Sequence, residues 1–176
     1  MSEKIKLGLI GVQKWGARVG NEMAASDVVD LAWVYDTDAE AVEAAGREWN
    51  AKVARSLDEL LAADVPGVAI ITPNQTHLEL GVATARAGKH PFIVKPLTNT
   101  VAEGKQLLAT CREAGVFCAT NHPQRKSPYS QHVKRMLEQG EFGDLLLAVN
   151  VTGHNGGLFK DPSNWRAMRK HAPGGP

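Results

Sequence analysis

Lys95-Pro96 closes the short apolar run Phe92-Ile93-Val94, and two upstream segments give that ammonium group a chemical setting. The first is Gly11-Val12-Gln13-Lys14-Trp15-Gly16, which follows the strand-like run Ile5 to Ile10 and opens a helical stripe of Val12, Gly16, Val19 and Met23. Strand, tight turn and helix in that order aim free backbone N–H groups and a positive dipole end at a pyrophosphate. The second segment ends in Asp36, at the close of the run Val28 to Tyr35 and 20 positions after Gly16. An acid at that spacing takes the hydroxyls of a ribose. Its charge would repel a 2′-phosphate, and Thr37-Asp38-Ala39 offers no arginine to receive one, so the site favours NAD over NADP. Lys95 then reads as an ammonium held beside a bound nicotinamide.

Each of these residues also has a plainer reading. Gly11 and Gly16 would serve any tight strand-to-helix turn. Gln13 occupies the middle position of the glycine motif, where a Cβ obstructs close approach of backbone to pyrophosphate. Thr37 with Glu40 forms a capping-box pattern, which would make the neighbourhood of Asp36 a helix start. A third strand-end segment is Thr72-Pro73-Asn74-Gln75-Thr76-His77, where Pro73 stops the strand and leaves Asn74 and His77 near the next helix. Its plain reading is a Pro-Asn turn with Thr76 as the N-cap. Lys95 itself could be a solvated surface charge.

The elements that must position these residues alternate through the first 120 positions. Apolar runs of strand length (Ile5–Ile10, Val28–Tyr35, Val53-Ala54, Val68–Ile71, Phe92–Val94, Val116–Thr120) are separated by helical stripes. That alternation predicts an α/β fold, a doubly wound parallel sheet of six strands with helices on both faces. Ser56 with Glu59 and Thr100 with Glu103 mark helix starts, and Gly88 and Gly115 mark stops. Leu107, Leu108, Cys111 and Ala114 are expected to form one apolar face, and a further helix from about Pro128 to Gln139 to turn Tyr129, Val133, Met136 and Leu137 toward the core. Leu145 to Val151 reads as a final strand, followed by Gly153, Gly156, Gly157 and Pro162 instead of another helix.

Composition narrows the function classes. With 176 residues, 43% hydrophobic and 22% charged, the chain suits one buried domain and the start of a second. A formal net charge of +1 without a basic run leaves no electrostatic footprint for nucleic acid or an anionic membrane. The start Met1-Ser2-Glu3-Lys4-Ile5-Lys6 carries no apolar signal region, and a cytoplasmic location is expected. Cys111 and Cys118 lack metal-ligand spacing and read as small apolar residues, neither a disulfide nor a nucleophile.

Taken in order, these segments resemble the Gfo/Idh/MocA family of NAD(P)-dependent oxidoreductases. The resemblance rests on the glycine turn, Asp36, Thr72-Pro73-Asn74 with His77, Gly88-Lys89-His90 before the strand ending in Lys95-Pro96-Leu97, and Asn121-His122-Pro123-Gln124-Arg125-Lys126-Ser127-Pro128. It implies a Rossmann domain over residues 1–122 and, over 123–176, the helix, strand and loops that begin a truncated α+β substrate domain. It further implies that Lys95 is catalytic, touching both the nicotinamide ribose and a substrate hydroxyl. Thr72, Pro73, Asn74, His77 and Pro96 would border the cofactor, and Arg125 would lie near the cofactor or substrate cleft.

The implied substrate is a sugar, polyol or related secondary alcohol. A homo-oligomer is expected only with the remainder of the substrate domain, although Leu145 to Val151 would be an edge prone to pairing. The family's glutamate before Lys-Pro is replaced by Val94, and the Asp and His of its substrate-domain helix are expected beyond Pro176. His154, His171 and Trp165 read as loop histidines and a packing anchor. Two other readings stay open: a non-catalytic or truncated dinucleotide-binding module, and a doubly wound domain for S-adenosylmethionine, against which Lys95-Pro96 and Thr72-Pro73-Asn74 argue.

Overall fold

The computed structural model describes residues 3–151. Six strands run β1 (Ile5–Ile10), β2 (Val29–Tyr35), β3 (Lys52–Val53), β4 (Gly67–Ile70), β5 (His90–Val94) and β6 (Ala119–Asn121). Between and after them lie α1 (Trp15–Ala24), α2 (Ala39–Trp49), α3 (Leu57–Ala62), α4 (His77–Arg86), α5 (Val101–Glu113) and α6 (Pro128–Glu138). Every pairing is parallel and the spatial order is β3-β2-β1-β4-β5-β6. This is the doubly wound Rossmann sheet, with its order reversing at β1.

Side chains of successive strand residues leave the sheet on opposite faces, and the two buried clusters follow that period of two. Leu9, Leu31, Val34, Ala69 and Val94 pack with α1 and α2 through Val19, Val42 and Trp49. Ile10, Val68, Ile70 and Ile93 pack on the other face with Leu60, Ala85, Leu107 and Cys111. The β1–β2 register slips once, between Leu7 and Gly8, and there Gly8 leaves room for Leu60, whose Cδ1 would sit 3.0 Å from an added Cβ.

Helix starts agree with the sequence at two of four sites. Thr100 and Glu103 form a reciprocal capping box on α5, and Ser56 Oγ accepts from the Glu59 amide while Glu59 reaches Arg55 N. At α2 the cap is Asp38, accepting from Ala41 N, and not Thr37: Asp36 and Thr37 are still part of the strand-end turn. Thr76 likewise makes no side-chain cap on α4, because its hydroxyl donates to Pro73 O within the 3-10 turn Asn74–Thr76.

Three further expectations are corrected. On α5 only Leu107 and Cys111 of the four expected residues are buried, since Leu108 and Ala114 have rotated past the contact line with the sheet. Helix α6 forms as read, but Tyr129 (85%), Val133 (49%) and Leu137 (38%) are exposed; it packs on the 3-10 turn Pro123–Lys126, away from either core cluster. Residues 145–151 form no strand, because a strand is defined by a partner and none of the five ladders among the described residues reaches them. Gly153, His154, Trp165 and His171 lie outside the described residues.

Both cysteines are free, with Cys111 buried and Cys118 half-buried. Burial raises both thiols, and Cys118, further raised by the charge and hydrogen bond of Cys111, is pushed up to about 12. Burial thus disfavours the thiolate form at both positions.

Trp49 fixes α2 against α1: its indole N–H donates to Asn21 Oδ1 at 2.6 Å, and its ring lies over Gly20, where an added Cβ would come within 2.4 Å. Gly20→Ala must displace that ring. We expect a stability loss of about 1–3 kcal/mol, measured as a lower urea midpoint with an unchanged slope.

Candidate nucleotide site

Because all strands are parallel, the glycine turn after β1, Asp36 after β2, Thr72 after β4, Lys95 after β5 and Arg125 after β6 emerge at one edge of the sheet. A cleft of about 540 Å³ opens there, at the point where the strand order reverses. Its lining includes Gly11, Gln13, Lys14 and Trp15 from the turn, Asp36 and Thr37 from the end of β2, and Thr72 and Pro73 from the end of β4.

The turn is built on missing side chains. Gly11 has φ +88°, and a Cβ on it would meet the Ile71 carbonyl oxygen at 2.8 Å. A Cβ on Gly16 would lie 2.0 Å from the Gly11 carbonyl oxygen. Both positions therefore exclude any other residue, which answers the plain reading of a merely tight turn with a stricter one: β1, α1 and β4 are in backbone contact. No side chain caps the start of α1; the Gly16 amide turns back to Gln13 O at 2.8 Å, and the positive end of the helix dipole faces the cleft.

Asp36 is half-buried and anchors the turn. One carboxylate oxygen accepts from Val12 N at 2.9 Å and the other from Asp38 N at 3.1 Å. Each oxygen keeps a lone pair for a ribose hydroxyl. Gln13 turns its amide toward α2, with Nε2 3.4 Å from Asp38 Oδ2. Arg18 stacks its guanidinium 4.9 Å over the Trp15 ring at the turn's outer side.

Beyond β4, the Thr76 hydroxyl donates to Pro73 O at 2.8 Å, so Thr72 is the donor in the 2.7 Å contact between the two hydroxyls. Asn74 begins the 3-10 turn and is half-buried. His77 is fully buried beneath this loop and is not among the residues lining the cleft. Its Nδ1 lies 2.8 Å from Pro96 O and its Nε2 2.9 Å from Thr72 O. One imidazole thus spans the loops after β4 and β5.

Lys95 and Pro96 are exposed and joined by a cis peptide bond. The Lys95 ammonium has no partner among the described residues, and Val94, at the family's glutamate position, is packed in the core beside Ile71. Arg125 is exposed on the 3-10 turn after β6, two strand positions farther from β1 than Thr72. Sequence reasoning missed Glu79, Leu57 and Leu80 as cleft residues. Glu79 had a weak signal, an acid in the first turn of a helix at the ligand edge.

No group of residues that could hold a metal ion and no membrane-spanning helix occurs among the described residues. Replacing His77 by Phe keeps the ring's bulk and removes the one N–H with which a neutral imidazole can reach either Pro96 O or Thr72 O. The expected loss is about 1–3 kcal/mol, read by chemical denaturation, with amide exchange accelerating first in the 72–77 and 95–99 loops.

Comparison with known proteins agrees with this geometry. The profile of the oxidoreductase family GFO_IDH_MocA, described by its NAD-binding Rossmann fold, matches residues 5–122. A Streptococcus pneumoniae serotype 4 protein named "Uncharacterized oxidoreductase" is 32% identical over 172 residues, which are 97% of this chain and 46% of that protein. The "putative nadph-dependent oxidoreductase" of Desulfitobacterium hafniense DCB-2 superposes with a TM-score of 0.93 at 26% identity, covering 100% of this chain and 51% of the other. The WlbA dehydrogenase from Bordetella pertussis, in complex with NADH and UDP-GlcNAcA, gives a TM-score of 0.74 at 29% identity over 80% of this chain and 44% of its own. The chain spans about half the length of these relatives. Fold, glycine turn and sequence match together place the chain in the Gfo/Idh/MocA family of oxidoreductases, whose NAD-binding Rossmann portion it carries.

Proposed function

We propose that this chain is the cofactor-binding portion (residues 1–122), with the beginning of the substrate domain (123–176), of an NAD-dependent oxidoreductase acting on a sugar, polyol or related secondary alcohol. The observation that supports it best is the single cleft shared by the glycine turn, Asp36 and Thr72-Pro73, with Lys95 at the end of the next strand. Bound NAD would supply the hydride acceptor. The N-terminus of α1 would take the pyrophosphate, and the Asp36 carboxylate the ribose hydroxyls, its charge opposing a 2′-phosphate. Thr72, Pro73, Asn74 and Pro96 would border the cofactor, with His77 holding their loops together. Lys95 would donate a hydrogen bond to the substrate oxygen and stabilise the alkoxide that develops as hydride leaves the adjacent carbon. Arg125 would flank the substrate side, and a base from the substrate domain would take the proton. A cytoplasmic location, and a homo-oligomer once the substrate domain is complete, belong to the same reading.

One observation favours a second reading, a dinucleotide-binding module without catalysis. Val94 is buried where a carboxylate would orient the lysine, so the Lys95 ammonium stands alone among the described residues. Calorimetric titration with NAD, NADP and S-adenosylmethionine tests both readings at once: heat with NAD is expected, and none with either nicotinamide dinucleotide would end both. Turnover with a panel of polyols and nucleotide sugars separates enzyme from module. Lys95→Ala is expected to abolish turnover while NAD affinity stays within about tenfold, or about 1.4 kcal/mol. A larger loss of binding would make Lys95 chiefly a cofactor anchor.

A further inference from the structure

His77 faces two hydrogen-bond acceptors, and a neutral imidazole has one N–H to give them. Its Nδ1 is 2.8 Å from Pro96 O and its Nε2 is 2.9 Å from Thr72 O, and neither carbonyl can donate. The ring is fully buried, so water relieves neither nitrogen. Whichever tautomer a neutral ring took, it would set one nitrogen lone pair against a carbonyl lone pair at hydrogen-bonding distance. Both contacts are bonds only when both nitrogens carry a proton.

Burial opposes the charge this implies, and so does the start of α4, where His77 meets the positive end of the helix dipole. Two bonds from a charged donor favour it, each about twice as strong as a neutral one. The fold already accepts such an arrangement at the other end of the same two strands. There the buried Lys89 ammonium donates to Ala63 O and Val65 O, with no carboxylate partner among the described residues. Charged side chains on the elements around His77 are Lys95 after β5, Glu103 and Lys105 at the start of α5, and Glu79 on α4. The Glu103 carboxylate is taken up by the amides of Asn99 and Thr100, and the other three are exposed. The two carbonyls are thus what the ring bonds to.

We infer that His77 is held as an imidazolium and is the positioning residue of Lys95, its two donors fixing the loop that carries the lysine to the loop that lines the cleft. Loss of one proton lets go of one loop. The consequence for catalysis rests on the oxidoreductase reading above, whereas the proton count at His77 does not.

The test is nitrogen NMR on the isotope-labelled 176-residue chain without ligand, titrated over about pH 5 to 8. An imidazolium gives two ring-nitrogen resonances close together, and a neutral ring gives two far apart. At the acid end His77 is expected to show the close pair. As the ring loses its proton, backbone amide resonances in the 72–76 and 95–99 loops should shift with the same midpoint. His77→Gln, uncharged and donating from one atom only, should abolish that shared shift in both loops. Should this variant not fold, the ring-nitrogen spectrum of the wild type decides alone. Widely separated His77 nitrogens at the acid end, or loop amides that titrate as before in His77→Gln, would overturn the assignment. Neither result touches the nucleotide reading, which the NAD titration decides separately.

Discussion

The contact on which this structure depends is made of backbone alone. Gly16 lies so close to the Gly11 carbonyl, and Gly11 to the Ile71 carbonyl, that neither position has room for a Cβ. Two ladder bonds lock the same junction, Gly11 N donating to Tyr35 O and Ile71 N to Ile10 O, both at 2.8–2.9 Å. The end of β1 is thereby tied to β2, β4 and α1 within one turn of chain. A cleft at a sheet edge needs a rigid floor, and here the floor is held by geometry that side-chain motion cannot relax.

The next strand is secured differently, by two buried polar side chains at opposite ends of the β4–β5 pair. His77 spans Thr72 O and Pro96 O at the carboxyl edge. Lys89 does the equivalent at the amino edge, its ammonium donating to Ala63 O at 2.7 Å and Val65 O at 2.9 Å. Burying such groups is costly unless their hydrogen bonds are made, so each one selects a single loop arrangement. The consequence for function is positional: the loop carrying Lys95-Pro96 is tied through one imidazole to the loop that lines the cleft.

Much of this was legible in the residues themselves. Alternating runs and stripes gave the sheet, and glycine spacing with Asp36 gave the edge at which a ligand would lie, because both signals are local. What was not legible is what depends on partners distant in sequence. The stripe on α6 shows that a helix forms but not what covers it, and the run at 145–151 has β-forming residues without a ladder to join. His77 reads as a cofactor neighbour until its ring is seen beneath Pro96 O, 19 positions away. Lys89, which the sequence shows only within Gly88-Lys89-His90, gives no local sign that its ammonium reaches Ala63 O and Val65 O. Thr37 carries the capping-box pattern one position short of the actual α2 cap, Asp38, since a strand-end turn and a helix cap draw on the same residue types.

The departure at Gln13 shows how a turn can lose a glycine and keep its shape. Left-handed backbone within it falls on Gly11, at φ +88°, and on Lys14, at φ 50° and ψ −105°, while Gln13 is outside that region. A residue at position 13 therefore needs space for its side chain and no unusual backbone. That space is found sideways, where the Gln13 amide reaches Asp38 and leaves the line from Gly11 to the start of α1 clear. The conformational cost of the turn lies at Lys14, where a non-glycine residue in this region costs on the order of 1–3 kcal/mol. A turn that tolerates such strain beside an uncapped helix start is over-determined by its surroundings, and the surroundings are the two glycine contacts and the Asp36 bond to Val12 N. The glycine that is missing from the motif is thus the one whose absence the fold can absorb, and the two that remain are those it cannot replace.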